Sequence, residues 1–177
     1  CLKKTLNLND LNGLLDVGCA TGWLNYFFKK EYPDKKNLGL EYFQYHKNNA
    51  DQSIKDLIKI CDLRNELNLN EKFDIVNCTE TAEHIDPEYC DIFINNLKRH
   101  CSKYIIISWS NAGGENDREH DTHLQHLNPM NFNQVIELLE HHGLNYQKDL
   151  SKKMTLNSQG DPNFHFWWRN SLSIWTI

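Results

Sequence analysis

A chain of 177 residues, 40% of them apolar, has material for one domain with a real core and too little for two. Its net charge of −5 gives no basic footprint for a nucleic-acid groove, and its longest apolar stretches, such as Tyr104 to Ile107, fall far short of the ~18–20 residues a membrane span needs. The cysteines (Cys1, Cys19, Cys61, Cys78, Cys90 and Cys101) are scattered without a C-x-x-C pair and read as reduced, and no charged-then-apolar leader opens the chain, so a cytoplasmic setting is expected.

Leu14 to Val17 is predicted as a strand ending at Gly18, and Trp23 to Tyr32 as a helix stopped by Pro33. Asn37 to Glu41, Leu57 to Cys61 and Phe73 to Cys78 supply the second, third and fourth strands. Asp86-Pro87 offers an N-cap and a first-turn proline for a helix running to about His100. Tyr104 to Trp109, with three consecutive isoleucines, reads as a strand buried on both faces. Ser110 to Asn128 is a polar loop holding His120, His123 and His126. Asn131 to His142 has helical apolar spacing and stops at Gly143, a C-cap signal. Asn163 to Ile177 is dense in aromatic and β-branched residues and is predicted as a final strand, beside another near Leu144 to Leu150. This alternation argues for a mostly parallel α/β sheet with helices on both faces. The first residue is Cys1 rather than Met, and the first strand begins almost at once. One domain over 1–177, excised from a longer chain with further domains as partners, is therefore expected.

Asp16-Val17-Gly18-Cys19-Ala20-Thr21-Gly22 joins the first strand to the first helix, where small residues let backbone approach a ligand and the helix N-terminus lends its donors. The spacing is not the dinucleotide G-x-G-x-x-G, and no Lys-Ser/Thr closes a P-loop. Glu41 ends the second strand, where a carboxylate can accept both hydroxyls of a ribose. Asp62 follows the third, where it can accept from an exocyclic amine. With these residues the sequence resembles the class I S-adenosylmethionine-dependent methyltransferases. "LLDVGCATG", "LGLE", "ICDL" and "FDIVNCTETAEHI" look like their first to fourth motifs, well over roughly residues 12–110 and loosely beyond. The resemblance implies a Rossmann-like fold, a seven-stranded, mostly parallel sheet with an antiparallel C-terminal strand. It implies that Asp16, Gly18 and Gly22 cradle the methionine moiety with Cys19, Ala20 and Trp23 beside them. Glu41 with Tyr42 would hold the ribose, Asp62 with Leu63 the adenine edge, and Cys78 and Thr79 would line the floor. Cys19 and Ala20 depart from the Gly-rich version, but both are small and the ligand is expected to fit.

Glu80, Glu83 and His84 stand at i, i+3 and i+4, so one helical turn points them to one side, at the sheet edge where open α/β folds place ligands. The bland reading is a solvated turn in which Glu80 shapes the cofactor pocket. The sharper one is a site for magnesium or manganese, since two carboxylates and an imidazole suit a hard cation. His126 is the first choice of fourth ligand and His123 the second. An E-x-x-E-H motif followed by a later His resembles two metal-using groups, the small-RNA 3′-end 2′-O-methyltransferases and the ubiquinone-pathway O-methyltransferases. Both methylate one oxygen of a neighbouring pair. A metal chelated by a diol lowers the hydroxyl pKa and orients the attack, and His84 or His123 is the candidate base. The acidic chain lacks the basic, aromatic-interleaved stripe that RNA would want. "SNAGGENDREHDTHLQH" is too polar to lid a quinol, whereas that loop and the aromatics Phe164 to Trp168 suit a sugar. The tail "HLNPMNFNQVIELLEHHGL … FHFWWRNSLSIW" is loosely similar to methyltransferases of glycan assembly. The expectation is therefore methylation of one sugar hydroxyl, on a terminal deoxyhexose such as rhamnose, by a module of a glycan-building polypeptide, viral as a further step. Two alternatives stand beside it: a metal-independent small-molecule or RNA 2′-O-methyltransferase, and a non-catalytic interaction module of the same fold.

Overall fold

In a computed structural model of the chain, residues 1–111, 126–158 and 171–177 are described. Among the described residues seven strands form one sheet: β1 (Gly13–Val17), β2 (Lys36–Glu41), β3 (Ile58–Ile60), β4 (Phe73–Cys78), β5 (Cys101–Ile107), β6 (Asn145–Tyr146) and β7 (Ser173–Thr176). Their order is β3-β2-β1-β4-β5-β7-β6. The β1–β2, β1–β4, β2–β3 and β4–β5 pairs are parallel, and β7 runs antiparallel to both β5 and β6. The expected Rossmann-like α/β architecture is thus present. After β3 the chain crosses back to pair β4 with β1, so the sheet has its switch point between those two strands.

The helices are α1 (Leu2–Thr5), α2 (Trp23–Glu31), α3 (Gln44–Asn48), α4 (Cys90–His100), α5 (Phe132–His141) and α6 (Lys148–Ser158). Alternation along the strands assigns them to faces. Leu15, Val76, Ile105, Ile107 and Trp175 pack with Phe93, Ile94 and Leu97 of α4 and Val135 and Leu139 of α5. Leu14, Ile75, Ile106 and Ile174 face the other way, against Phe28 of α2 and Met154 of α6. Period-two alternation with apolar residues at both parities is what a sheet covered on two sides demands. Asn131 caps α5 by accepting from the Gln134 amide at 3.1 Å, while the Gln134 side chain accepts from the Asn131 amide at 2.9 Å.

Three expectations need correction. The first strand does not begin at once, because α1 and a 3-10 turn at Leu8–Asp10 precede it. The neighbour strand near Leu144 to Leu150 shrinks to Asn145–Tyr146, and a helix starts at Lys148. The buried face of that helix is Ser151, Met154 and Ser158, too polar to register as apolar periodicity. Strand β5 ends at Ile107, so Trp109 lies beyond it, buried, with its indole N–H donating to the Asn128 carbonyl at 2.6 Å. The final strand is Ser173–Thr176; the earlier part of that predicted segment, with Phe164 to Trp168, lies outside the described residues. All six cysteines are free thiols. No described helix is long and apolar enough to cross a membrane.

Candidate functional site

The turn after β1 is built from left-handed backbone. Gly18 has φ +73°, and a Cβ there would lie 2.0 Å from Thr81 Oγ1, so glycine is required on two counts. Gly22, φ +76°, caps α2, and a Cβ would meet Ile54 Cδ1 at 2.6 Å. Ala20 also sits at positive φ, +48°. No side chain caps α2, so its first-turn N–H groups and positive dipole end are available beside the turn.

Two carboxylates tie the turn to neighbouring strands. Glu41, at the end of β2, accepts from the Ala20 amide at 2.8 Å through Oε2 and from the Phe43 amide at 2.9 Å through Oε1. His46 Nδ1 lies 3.1 Å from Oε1 without hydrogen-bond alignment. Asp16 is buried and accepts from Asn77 Nδ2 at 2.8 Å. Burial, with a smaller push from the Glu41 charge, raises Asp16 to about 6 against the opposing pull of Asn77. A cationic partner beside it would reverse that shift.

Asp16, Gly18, Cys19, Ala20, Thr21, Trp23, Asn77 and Thr79 line a cavity of about 1110 Å³ together with the apolar Leu24, Phe27, Phe28, Met154 and Leu172. Trp23 and Phe27, 62% and 57% exposed, stack on each other with centroids 6.0 Å apart and planes at 29°. Cys78 departs from expectation. Its thiol is fully buried in the core on the α4 side, so Thr79 lines the floor and Cys78 lies beneath it. At the far end of the sheet, Tyr42 is exposed, the Leu63 side chain packs in the core, and Asp62 is gripped by Arg64.

Beyond β4 the chain carries the acidic turn. Only Ala82–His84 forms a 3-10 turn, and Glu80, at φ +53°, lies outside it. The expected single face of Glu80, Glu83 and His84 is therefore broken at Glu80, because left-handed backbone there redirects its side chain. Its carboxylate accepts from Ser108 Oγ at 2.7 Å, and its amide donates back to the same oxygen at 2.8 Å. Glu83, His84 and His126 do come together, each offering a ligand atom, all within 4.8 Å of one another. The two imidazoles meet edge to face at 4.9 Å. Asn128 fixes this arrangement, its amide donating to the Glu83 carbonyl at 2.9 Å.

Glu83 is the unusual member. Its side chain is fully buried, and neither carboxylate oxygen has a hydrogen-bond partner among the described residues. Backbone amides of Glu83, Ser110 and Thr81 moderate the field, but burial first and the Glu80 charge second push Glu83 up to about 8. An orphaned buried carboxylate facing two imidazoles is a donor set suited to a divalent cation. His123, named both as base and as ligand, lies outside the described residues, as does His120.

Sequence reading missed Arg64, Asn77 and Ser108. Asn77 had a signal, a polar residue in a strand buried at every position. Arg64 and Ser108 had none, since their roles depend on partners far along the chain or on local geometry.

Residues 2–148 match the family described as a methyltransferase domain. The fold is similar to that of PKMT2 from Rickettsia typhi in complex with AdoHcy, at 13% identity and TM-score 0.66, covering 93% of this chain and 48% of that one. It is similar to SAM-bound CalS10, an amino pentose methyltransferase from Micromonospora echinaspora, at 22% identity and TM-score 0.50, covering 58% and 45%. It is also similar to the methyltransferase domain of bacterial CtHen1-CN, at 12% identity and TM-score 0.60, covering 99% and 95%. At such identities the likeness is one of fold. The chain spans about half the length of the first two structures. No curated protein sequence matches it.

Proposed function

The chain belongs to the methyltransferase-domain family, and from that premise we propose that it moves a methyl group from S-adenosylmethionine to one hydroxyl of a sugar. The observation that carries the reading is the convergence of Glu83, His84 and His126 at the C-terminal edge of the sheet. These three residues would hold magnesium or manganese, with Glu80 adding negative charge beside them. Such a cation, when bound, lowers the pKa of a coordinated hydroxyl and anchors its vicinal neighbour.

The chain's own residues supply the rest. Asp16 and the Gly18–Gly22 turn take the methionine end of the donor, and Glu41 the ribose. As the oxygen attacks, its new bond to the methyl carbon forms while the carbon–sulfur bond breaks, leaving S-adenosylhomocysteine and an ether. The hydroxyl proton needs an acceptor not occupied as a ligand. With His84 in the ligand group, His123 is proposed for that role. Trp23 and Phe27 line the cavity, and an aromatic face there would suit the C–H face of a pyranose. An amino pentose is the substrate class named for CalS10, which shares this fold.

A panel of vicinal-diol sugars, a quinol precursor and a short RNA with a free 3′ diol, assayed with labelled donor, tests the reading. Sugar turnover is expected to vanish in EDTA and return with manganese or magnesium. Glu83→Gln and His126→Ala should lower the restored rate on the order of 100-fold. Glu83→Gln mimics the protonated buried acid, so the fold should survive it. Full activity in chelator would remove the metal, and turnover confined to RNA or quinol would remove the sugar.

A further inference from the structure

Glu80 is held in a conformation that its own chemistry does not favour. Its φ of +53° is left-handed backbone, which glycine takes freely and glutamate rarely does. A turn that needed only this backbone would be served better by glycine, so the side chain is what the position retains. The partner that holds it is Ser108, fully buried and 28 residues further along the chain. The Ser108 hydroxyl donates to Glu80 Oε1 at 2.7 Å, and the same oxygen accepts from the Glu80 amide at 2.8 Å. These roles are forced: an amide can only donate, and a hydroxyl carries one proton, which goes to the carboxylate. Ser108 is itself fixed, because its amide donates to the Cys78 carbonyl at 3.1 Å and carries the β4–β5 pairing one residue past Ile107. One oxygen anchored to the sheet thus clamps Glu80 at both backbone and side chain.

Charge shows what the clamp does. Glu80 stands outside the Glu83, His84 and His126 group, whose ligand atoms lie within 4.8 Å of one another. Its negative field still reaches that group, since it adds to the burial that pushes Glu83 up. Among the described residues no lysine or arginine pairs with either acid. Like charges held near each other repel, and a half-buried glutamate left to itself would turn toward water. A buried hydroxyl prevents that turn at the place where the Glu80 charge deepens the potential of an orphaned carboxylate. A cation taken up by the group would reverse the sign of the interaction.

We propose that Ser108 is a positioning residue for the cation of this site: by keeping the Glu80 carboxylate beside Glu83, it adds a second negative charge to the field that holds a divalent ion. The proposal rests on the reading that Glu83, His84 and His126 hold magnesium or manganese. Groups that orient the surroundings of a metal ligand set affinity without touching the ion. Without the hydroxyl, Glu80 loses both bonds, the left-handed turn relaxes, and the charge moves into solvent, where screening removes most of its effect.

Calorimetric titration of the intact chain with manganese chloride, and separately with S-adenosylhomocysteine, tests this. Ser108→Ala should weaken manganese binding on the order of 10-fold and leave S-adenosylhomocysteine binding as in the wild type. Glu80→Gln keeps an acceptor for the Ser108 hydroxyl but removes the charge, and it should weaken manganese to a similar degree. The double variant should bind manganese no more weakly than Glu80→Gln, because Ser108 acts only through the Glu80 charge. Ser108→Cys, similar in shape but a weak donor, makes the same comparison if the alanine variant does not fold. Unchanged manganese affinity without the hydroxyl overturns the proposal. So does a loss shared equally by both ligands, or a double variant whose losses add, as a purely structural role would give. A wild type that binds S-adenosylhomocysteine and takes up no manganese removes the cation reading itself.

Discussion

Asp16 is an acid kept against its preference. Burial raises it to about 6, whereas in the unfolded chain it titrates near its ordinary value of about 4. Because the folded value is the higher one, the neutral acid favours the fold. Asp16 therefore contributes stability fully below about pH 4, and that contribution is lost as pH rises through about 6. The unliganded protein should lose up to about 3 kcal/mol over this range relative to Asp16→Asn, which has no proton to give up. Urea melts of both proteins at several pH values between 4 and 7 measure the difference. Parallel profiles would mean that Asp16 is better solvated than the fold indicates. Glu83 has the same sign at higher pH, and comparison with Asp16→Asn separates the two. The residue scale is also where the acidic turn was hardest to read. Spacing put Glu80, Glu83 and His84 on one face, but a positive φ at Glu80 cannot be seen in the letters. The same spacing did bring out Glu83 and His84, which lie close to His126, while His120 and His123 lie outside the described residues.

One helix steadies the loop that follows β3. Asn96 of α4 is buried, accepts from the Leu67 amide at 2.9 Å, and donates to the carbonyls of Leu63 at 3.1 Å and Asn65 at 2.8 Å. One turn on, His100 accepts from the Leu69 amide at 3.0 Å through Nε2, which places its proton on Nδ1, facing the Asn96 carbonyl at 2.8 Å. Burial lowers its pKa and keeps that neutral tautomer. The segment from Leu63 to Leu69 has little regular structure, so these bonds replace a ladder. Asn96→Ala would strand one amide and two carbonyls, costing about 2–4 kcal/mol and weakening S-adenosylhomocysteine at least as much as it lowers the melting point. Melting with and without ligand checks this; unaltered affinity would show that the loop holds its shape alone. Sequence reading found α4 from its apolar spacing, but the Asp86-Pro87 start it expected is a separate 3-10 turn over Pro87–Tyr89, and α4 begins at Cys90. It missed the grip, because a buried Asn or His declares itself only through a partner some thirty residues away. It likewise missed α6, whose inner face is largely serine.

For the molecule as a whole, alternation of apolar strands with helical stretches was enough to specify the layers and the mostly parallel strand direction, while the switch point shows only in the strand order. The pattern follows from covering both faces of one sheet, which the paired parities of Leu14 and Leu15 or Ile105 and Ile106 reflect. Connectivity at the far side is less regular. β7 is the last strand in chain order, yet it lies inside the sheet, between β5 and β6, with Ile174 and Trp175 fully buried. A nascent polypeptide leaving the ribosome cannot finish this sheet until Ser173–Thr176 has emerged. Until then the Tyr104 to Ile107 rim offers unpaired amides beside three isoleucines, a template for pairing with other copies. Removing 171–177 should raise the aggregated fraction sharply over that of the intact chain, which sedimentation of lysates would reveal; a truncation that sediments no more than the intact chain and melts cooperatively would contradict it. Synthesis thus carries a vulnerable interval between the emergence of β5 and that of β7, ended by a strand of four residues.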